Sequence, residues 1–246
     1  MLEKAINRIL ELAQPNTITA SGDLYVDKRM NRIPNELRAS APLETASLDS
    51  LIDYVKSGRD LKRHQPEDYI VQIVSPVRVE LLSRLDADRE RETLMICRAE
   101  VPSFPFGKYI DQETMVIGLQ SMFEADDVGE MPTDRDLLLQ FAGTVAAGSV
   151  TEYGDDGVTQ KATIKTGVVS KSEAIVPSPC YLRPRRTFIE VEQPASKFIF
   201  RMKNDGADVY SAIIEADGGA WKIDARMNIL SYLEEQLDET GVLILA

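Results

Sequence analysis

The chain has 246 residues, of which 43% are hydrophobic and 28% are charged, and its formal net charge is −12. This length allows one large domain or two small ones, and the composition is that of an ordinary globular protein. The acidic balance argues against a protein that mainly coats bare nucleic acid, because such binding depends on Lys and Arg neutralising phosphates, although it is compatible with a local basic groove.

The first sixty residues, 1–60, are expected to form a mainly helical region. Apolar residues at helical spacing predict an amphipathic helix that ends at the QPN segment, and an irregular polar stretch follows over about 16–42. The segment TASLDSLIDYVKSG then predicts a second helix. A Thr or Ser N-cap precedes its apolar residues, and Gly58 stands where a helix is expected to end.

The remaining residues, 61–246, are expected to form an α+β body. The segments DYIVQIVSPVRVELLSRL and RETLMICRAEV are apolar and β-rich, and they predict an antiparallel hairpin with a bulge at Pro76. Asp111 is expected to cap a helix whose apolar residues run from Met115 to Phe123. After an acidic loop, the apolar residues at 137–141 open a further short helix.

From Val150 onward the apolar residues mostly alternate with period two, which is typical of strands. Hairpin turns are expected at NDG and DGG, where glycine accepts a positive φ. An amphipathic helix is predicted from Met227 to Leu237, and GVLILA is predicted as a last edge strand. The predicted strands are VTQKATIKTGVV, RTFIEVE, KFIFRMK, VYSAIIEA and AWKIDA.

The predicted architecture is therefore α+β, with a mainly antiparallel sheet and amphipathic helices packed against it. A hairpin followed by a helix occurs in both halves of the body, at about 61–147 and 148–246. This order suggests a duplicated unit, although the residues of the two halves do not align well.

Several features of the sequence bear on the compartment. No run of about 18 apolar residues occurs, so no membrane span is expected. The first fourteen residues spread charges among their apolar residues, unlike the core of a signal peptide. Cys97 and Cys180 are the only cysteines, which suits a reducing cytoplasm and predicts two buried thiols. We expect a cytoplasmic protein without a membrane partner.

The segment YGDD at Tyr153–Asp156 raises the question of a metal site, because the same letters hold catalytic Mg²⁺ in template-copying polymerases. No second carboxylate motif accompanies it, and Asp156-Gly157 is a favoured turn dipeptide between strand-like flanks. We predict a turn there. His64, the only histidine, is expected in a solvated loop. No cofactor and no metal are predicted.

Other carboxylates have structural and catalytic interpretations. The acidic residues at 124–136 are expected to form a solvated loop, with a helix cap at Thr133 or Asp134. Glu190, Glu192 and Glu215 lie on predicted strands and are the candidates for a metal-dependent nuclease site. Their spacing is equally that of a sheet with one solvated face. No Walker phosphate loop and no Rossmann fingerprint occurs in the sequence.

The most unusual local composition lies at 180–203, where positive charge is concentrated and aromatic residues are interleaved. On a strand, Lys197, Ile199 and Arg201 share one face, while Phe198 and its apolar neighbours share the other. This pattern fits a solvated basic face above a buried aromatic one. It also fits a contact for an anionic partner, either a phosphate backbone or an acidic surface of a neighbouring subunit. The candidate contact residues are Arg183, Arg185, Arg186, Lys197, Arg201 and Lys203.

Five segments resemble the YfdQ-like family, a family of uncharacterised proteins encoded by bacteriophages and prophages. They are IVSPVRVELLS, FPFGKYIDQETMVIGLQSMF, YGDDGVTQKATIKTGV, RTFIEVEQPASKFIFRM and EADGGAWKIDARMNILSYLEEQL. The resemblance extends from about Leu48 to the C-terminus. It implies a phage origin and action in the bacterial host cell, in the setting of replication, recombination or counter-defence genes. The family offers no catalytic residues to transfer.

The sequence thus favours a non-enzymatic phage accessory protein that acts by self-assembly or by binding. We expect a homo-oligomer, because basic and acidic segments complement each other and long strands offer edges. Nucleic acid and a host protein are the other expected partners. One alternative is a metal-dependent enzyme acting on DNA, such as a nuclease. Another is an acidic decoy that sequesters a host defence factor by presenting phosphate-like charge.

Overall fold

The computed structural model describes residues 4, 6–8, 17–20, 23–26, 41–58, 66–85, 89–127, 133–147, 149–155, 160–166, 170–175, 178–205 and 208–246. Their contacts divide the chain into two units, Met1–Ser40 and Ala41–Ala246. In the first unit, β1 (Thr17–Ala20) and β2 (Asp23–Val26) form an antiparallel pair, so the expectation of a mainly helical region over 1–60 is wrong for these residues. Residues 4 and 6–8 are helical, and the rest of the predicted opening helix lies outside the described residues.

The helices of the second unit begin at side-chain caps that the sequence partly reveals. As predicted, the Ser47 side chain accepts a hydrogen bond from the Asp49 backbone N–H, and Gly58 ends the same helix at φ 60°. The predicted cap at Asp111 is also confirmed, since its carboxylate accepts from the backbone N–H of Thr114. The helices are α1 (Leu48–Ser57), α2 (Gln112–Met122), α3 (Arg135–Ala147) and α4 (Trp221–Leu237).

The strands of the second unit form a five-stranded, a four-stranded and a three-stranded sheet. The first has the strands β3 (Leu43–Thr45), β4 (Tyr69–Ser75), β5 (Arg78–Ser83), β6 (Thr93–Arg98) and β14 (Leu243–Leu245). The second has β7 (Ile110–Asp111), β11 (Cys180–Leu182), β12 (Ser196–Asp205) and β13 (Asp208–Glu215). The third has β8 (Ser149–Asp155), β9 (Gln160–Thr166) and β10 (Ser170–Ile175).

The five-stranded sheet has the order β14-β4-β5-β6-β3. Its three central strands are antiparallel, and both edge strands run parallel to their neighbours. The predicted last edge strand is thus confirmed as β14. The predicted bulge at Pro76 is wrong: Pro76 and Val77 form the turn between β4 and β5, while the register shift lies between Ile73 and Ser75. A proline fixes φ and donates no ladder hydrogen bond, so it suits the turn better than the strand.

The four-stranded sheet has the order β11-β12-β13-β7 and is antiparallel throughout. The three-stranded sheet has the order β10-β9-β8 and is also antiparallel. Its β8–β9 pairing reaches Asp155 opposite Gln160. The turn predicted at Asp156-Gly157 falls in the connection between them and lies outside the described residues, as does His64.

Two segments predicted as strands, 186–192 and 220–225, have other structures. Residues 186–192, predicted as a strand, belong to the loop between β11 and β12. Residues 220–225, also predicted as a strand, lead into α4, which begins at Trp221. The Asp217 carboxylate accepts from the backbone N–H groups of Gly219 and Trp221, and it thereby starts the helix. Gly218 and Gly219 have the positive φ expected of DGG, but they connect a strand to a helix.

Two hydrophobic cores lie in the second unit. One lies between the four-stranded sheet and the helices α2 and α3, and the other joins the five-stranded sheet to α1 and α4. Because α1 buries its apolar side in the second core, the boundary between units falls at 40/41, whereas 60/61 was expected. Both cores take residues from 61–147 and from 148–246, so these halves do not have separate cores.

The predicted α+β class is confirmed, with antiparallel pairing dominating the sheets. None of the helices in the described part of the chain combines the length and apolar character needed to cross a bilayer. Cys97 and Cys180 are buried as expected, and burial raises the pKa of each thiol to about 12. Both thiols are therefore protonated at neutral pH and shielded from reagents.

Candidate functional site

The basic segment of 183–203 divides between a buried loop and an exposed sheet face. In the loop, Arg183 is only 1% exposed and Arg186 only 7% exposed. The prediction that these two arginines are solvated is therefore wrong. Arg185 is exposed, as are the two lysines of β12, and Arg201 is half-buried.

The loop 183–195 is braced by the buried amide of Gln193. Its Oε1 accepts from the backbone N–H groups of Arg186 at 2.9 Å and Thr187 at 3.1 Å. Its Nε2 donates to the carbonyls of Phe188 at 2.8 Å and Val191 at 3.3 Å. One side chain thus satisfies four backbone groups of the loop. The Phe188 and Val191 side chains insert into the second core and anchor the loop there.

Arg186 joins this loop to the four-stranded sheet and to α4. Its guanidinium lies 3.0 Å from a Glu215 carboxylate oxygen and 4.0 Å from the centre of the Trp221 ring. It also donates to the Ser196 hydroxyl. Burial lowers the pKa of Arg186 to about 10, against the opposing effect of Glu215. The residue remains a cation at neutral pH, and its charge is balanced within the protein.

Arg183 is held between two carboxylates, at 3.8 Å from Glu124 and 3.6 Å from Glu192. Burial raises the pKa of Glu124, and Arg183 partly opposes that rise. These contacts tie the loop to the segment that follows α2, where Phe123 also bridges to Pro184. Arg183 therefore acts within the fold, and the prediction that it contacts an outside anion loses its basis.

The carboxylates considered for a nuclease site have contacts of their own within the fold. Glu190 accepts from the backbone N–H of Leu48 and so caps α1, while Glu192 and Glu215 pair with the loop arginines. Among the residues that the structure describes, no group of three or more His, Cys, Asp or Glu could hold a metal ion.

Asp126, in the acidic segment that follows α2, is held against the start of α3 by hydrogen bonds. The Asp126 carboxylate accepts from the Thr133 hydroxyl and from the backbone N–H groups of Arg135 and Asp136. The side-chain cap of α3 therefore comes from Asp126, nine residues before the first residue of the helix. Asp134 is the expected cap residue by position, since its backbone carbonyl accepts from the backbone N–H of Leu138. The Asp134 carboxylate instead accepts from the backbone N–H of Tyr181 on edge strand β11.

The outer face of the four-stranded sheet carries the exposed part of the basic segment. The predicted alternation on β12 is confirmed: Phe198 and its alternate neighbours are buried in the first core, while the residues between them face away. Residues directly opposite each other in antiparallel strands share a face. We name the outer side the basic–aromatic face; it consists of Tyr109, Asp111, Tyr181, Lys197, Ile199, Arg201, Lys203, Tyr210, Ala212 and Ile214.

A cation lies beside an aromatic ring at each end of this face. At one end Tyr181 is directly opposite Lys197. At the other end Lys203 is opposite Tyr210, and its Nζ lies 4.6 Å from the centre of the Tyr109 ring and 5.7 Å from that of Tyr210. Tyr109 is 42% exposed and Tyr181 is 43% exposed. Such a surface offers charges to an anion and ring faces to a planar group.

Tyr109 and Tyr210 are residues of this surface that the sequence did not predict. Tyr210 could be placed on this face from the predicted NDG hairpin, because a two-residue turn at Asp205-Gly206 sets Tyr210 opposite Arg201, on the same face as Lys203. Tyr109 gives no such signal, since it is brought alongside by the pairing of β7 with β13.

Comparisons with known proteins add no relative to this description: no family model, no curated protein and no solved structure matches the chain.

Proposed function

We propose that this protein acts by binding, and that the basic–aromatic face is the surface that binds an anionic partner. The observation that carries this proposal is a concentration of cations on one sheet face in a chain of net charge −12. Neither Lys197 nor Lys203 forms an ion pair with another described residue. The loop cations Arg183 and Arg186, by contrast, are paired with carboxylates inside the fold.

The resemblance to phage-encoded YfdQ-like proteins supports a setting for such binding. We propose an accessory role in phage replication, recombination or counter-defence, exercised in the bacterial cytoplasm. Binding alone, without a chemical step, accounts for the features of the basic–aromatic face.

The test uses fluorescein-labelled heparin, a flexible polyanion, with affinity measured by anisotropy at several salt concentrations. Replacing Lys197 and Lys203 with Glu removes attraction and adds repulsion at each contact, so we expect at least a tenfold loss of affinity. The matched control replaces Lys56 and Lys222, which are also exposed, with Glu. It carries the same change in net charge and should stay within about twofold of the wild type.

Equal behaviour of the two double variants would show that the basic–aromatic face is not the binding surface. Failure of the wild type to bind any polyanion, together with capture of a host DNA-binding protein, would favour the acidic decoy. Thermal unfolding of each variant provides the control for folding, because exposed lysines contribute little to stability.

Self-assembly is a second candidate function, and the β14 edge favours it. Among the described strands, β14 pairs only with β4, and its outer side chains Leu243 and Leu245 are exposed. A two-fold axis beside this edge would pair β14 with its own copy in the antiparallel sense.

Light scattering at micromolar concentration tests this assembly. We expect a dimer for the wild type and a monomer for the Leu243→Glu, Leu245→Glu variant. A Leu137→Glu variant, at an exposed position of α3, should remain dimeric. A wild-type monomer in both low and moderate salt would refute the assembly.

A further inference from the structure

We infer that the partner of the basic–aromatic face is single-stranded nucleic acid, with phosphates on Lys197 and Lys203 and bases stacked on Tyr181 and Tyr109. This inference rests on the proposed function and names the class of anion. Two features point to it: each end of the face pairs a ring with a cation, and the two ends are spaced along one strand.

Each end of the face pairs one ammonium group with one exposed ring. In a nucleotide, a phosphate and a base are similarly joined through one sugar, so a single nucleotide can place its charge on the lysine and its base on the tyrosine. The ring of Tyr109 lies within 4.6 Å of the Lys203 ammonium, which holds that charge beside the stacking surface. Stacking on aromatic side chains tolerates every base, since each base has a π-face.

The span between the two ends fits a short stretch of extended strand. Lys197 and Lys203 lie on one strand, and a rise of about 3.3 Å per residue places them about 20 Å apart. Between them lie Ile199 and Ile214, which are half-buried and directly opposite each other, and the half-buried Arg201, which is opposite Ala212. The apolar side chains suit bases and sugars that have left their own stack.

Duplex DNA fits this surface less well than a single strand. In a duplex the bases stack on one another and are not available to Tyr109 or Tyr181, and a broad sheet face does not enter a groove. An acidic protein surface would satisfy the lysines but would leave the exposed rings without a role. The single strand uses both features of the face.

The negative net charge is compatible with this local binding. At physiological salt the Debye length is about 8 Å, so exposed carboxylates farther away are largely screened. Affinity should fall as salt rises, with a slope of about −0.7 per phosphate contact. Loss of the contacts to Lys197 and Lys203 should therefore reduce the slope by about 1.4.

The experiment measures anisotropy of a fluorescein-labelled oligothymidylate of about 12 nucleotides. Substitution of Tyr181 or Tyr109 with Leu removes a stacking ring, and we expect a roughly 5- to 100-fold loss of affinity for each. The matched control is Tyr181→Phe, which retains the ring and should bind nearly as the wild type does. Two competitors are used: polyphosphate of equal charge, and the oligothymidylate annealed to its complement as a duplex. Both should compete at least tenfold more weakly than the unlabelled single strand.

The possible results separate this inference from the proposed function. If both tyrosine variants bind the oligonucleotide like the wild type and polyphosphate competes equally, the face binds a polyanion without base stacking. The inference is then wrong, but the loss of heparin affinity in the Lys197→Glu, Lys203→Glu variant still supports the proposed function. If the duplex competes as well as the single strand, the inference is also wrong. If both double-lysine variants bind heparin alike, the proposed function itself is wrong.

Discussion

Replacing Gln193 with Leu should destabilise the protein more than any surface change of similar size. The variant keeps the approximate side-chain volume but leaves the backbone N–H groups of Arg186 and Thr187 without the acceptor they now share. It also removes a donor from the carbonyls of Phe188 and Val191. Because the loop is buried here, water cannot replace these partners without a local opening.

The magnitude follows from the number of groups left unsatisfied. A buried polar group that loses its partner costs about 1–3 kcal/mol, and two N–H groups at the lower half of that range give about 3 kcal/mol. The carbonyls add less, since a carbonyl oxygen tolerates an unused lone pair better. For a unit of this size, about 3 kcal/mol corresponds to a fall in Tm of about 6–12 °C.

Urea and thermal unfolding measure this change, and Gln72→Leu provides the matched control. Gln72 is exposed on β4, so the same substitution there should change the free energy of unfolding by less than about 0.5 kcal/mol. The fluorescence of Trp221, the only tryptophan, reports on the loop because Arg186 lies 4.0 Å from its ring. Equal stability of the two Leu variants would refute the role assigned to the Gln193 amide.

Three further changes test other parts of the fold. Arg183→Met removes the cation that lies 3.8 Å from the Glu124 carboxylate and leaves Arg185 as the other cation near it. We expect a loss of up to about 3 kcal/mol in urea unfolding, partly recovered by adding Glu124→Gln; no recovery would contradict the pairing. Burial raises the pKa of the Cys97 thiol to about 12 in the folded state, whereas the unfolded thiol ionises near 9. The free energy of unfolding should therefore fall as pH rises from about 9 to 12, and Cys97→Ala should make that fall smaller. Gly118→Ala places a Cβ 2.7 Å from the Phe104 ring and should lower Tm, despite the gain in helix propensity of about 1 kcal/mol. Adding Phe104→Leu to the Gly118→Ala variant should raise Tm again.

Local chemistry made part of this fold predictable from the sequence. Ser47, Gly58 and Asp111 carry their structural meaning within a few residues of the helix ends that they define. The alternation on β12 likewise follows from period-two patterning, and it correctly separated Lys197 from Phe198. These features depend on neighbours in the chain.

The rest depends on contacts between distant segments. Residues 186–192 alternate as a strand does, but Phe188 turns into a core built by other elements and Gln193 fixes the backbone as a loop. The two loop arginines look solvated in sequence because their carboxylate partners are far away along the chain, at Glu124 and Glu215. The candidate surface was found only in part, because the place of Tyr109 is set by the pairing of β7 with β13.

Residues 61–147 and residues 148–246 both contribute to each of the two cores, so neither core can form until both segments have been synthesised. β4 emerges from the ribosome well before the covering helix α4 and its edge partner β14. Residues 41–147 on their own would expose the apolar sides of both β4 and α2, since each is covered by residues from beyond 180. We therefore expect nascent chains to remain unfolded and dependent on chaperones until α4 and β14 have been synthesised, and folding to be slow because its contacts span long loops.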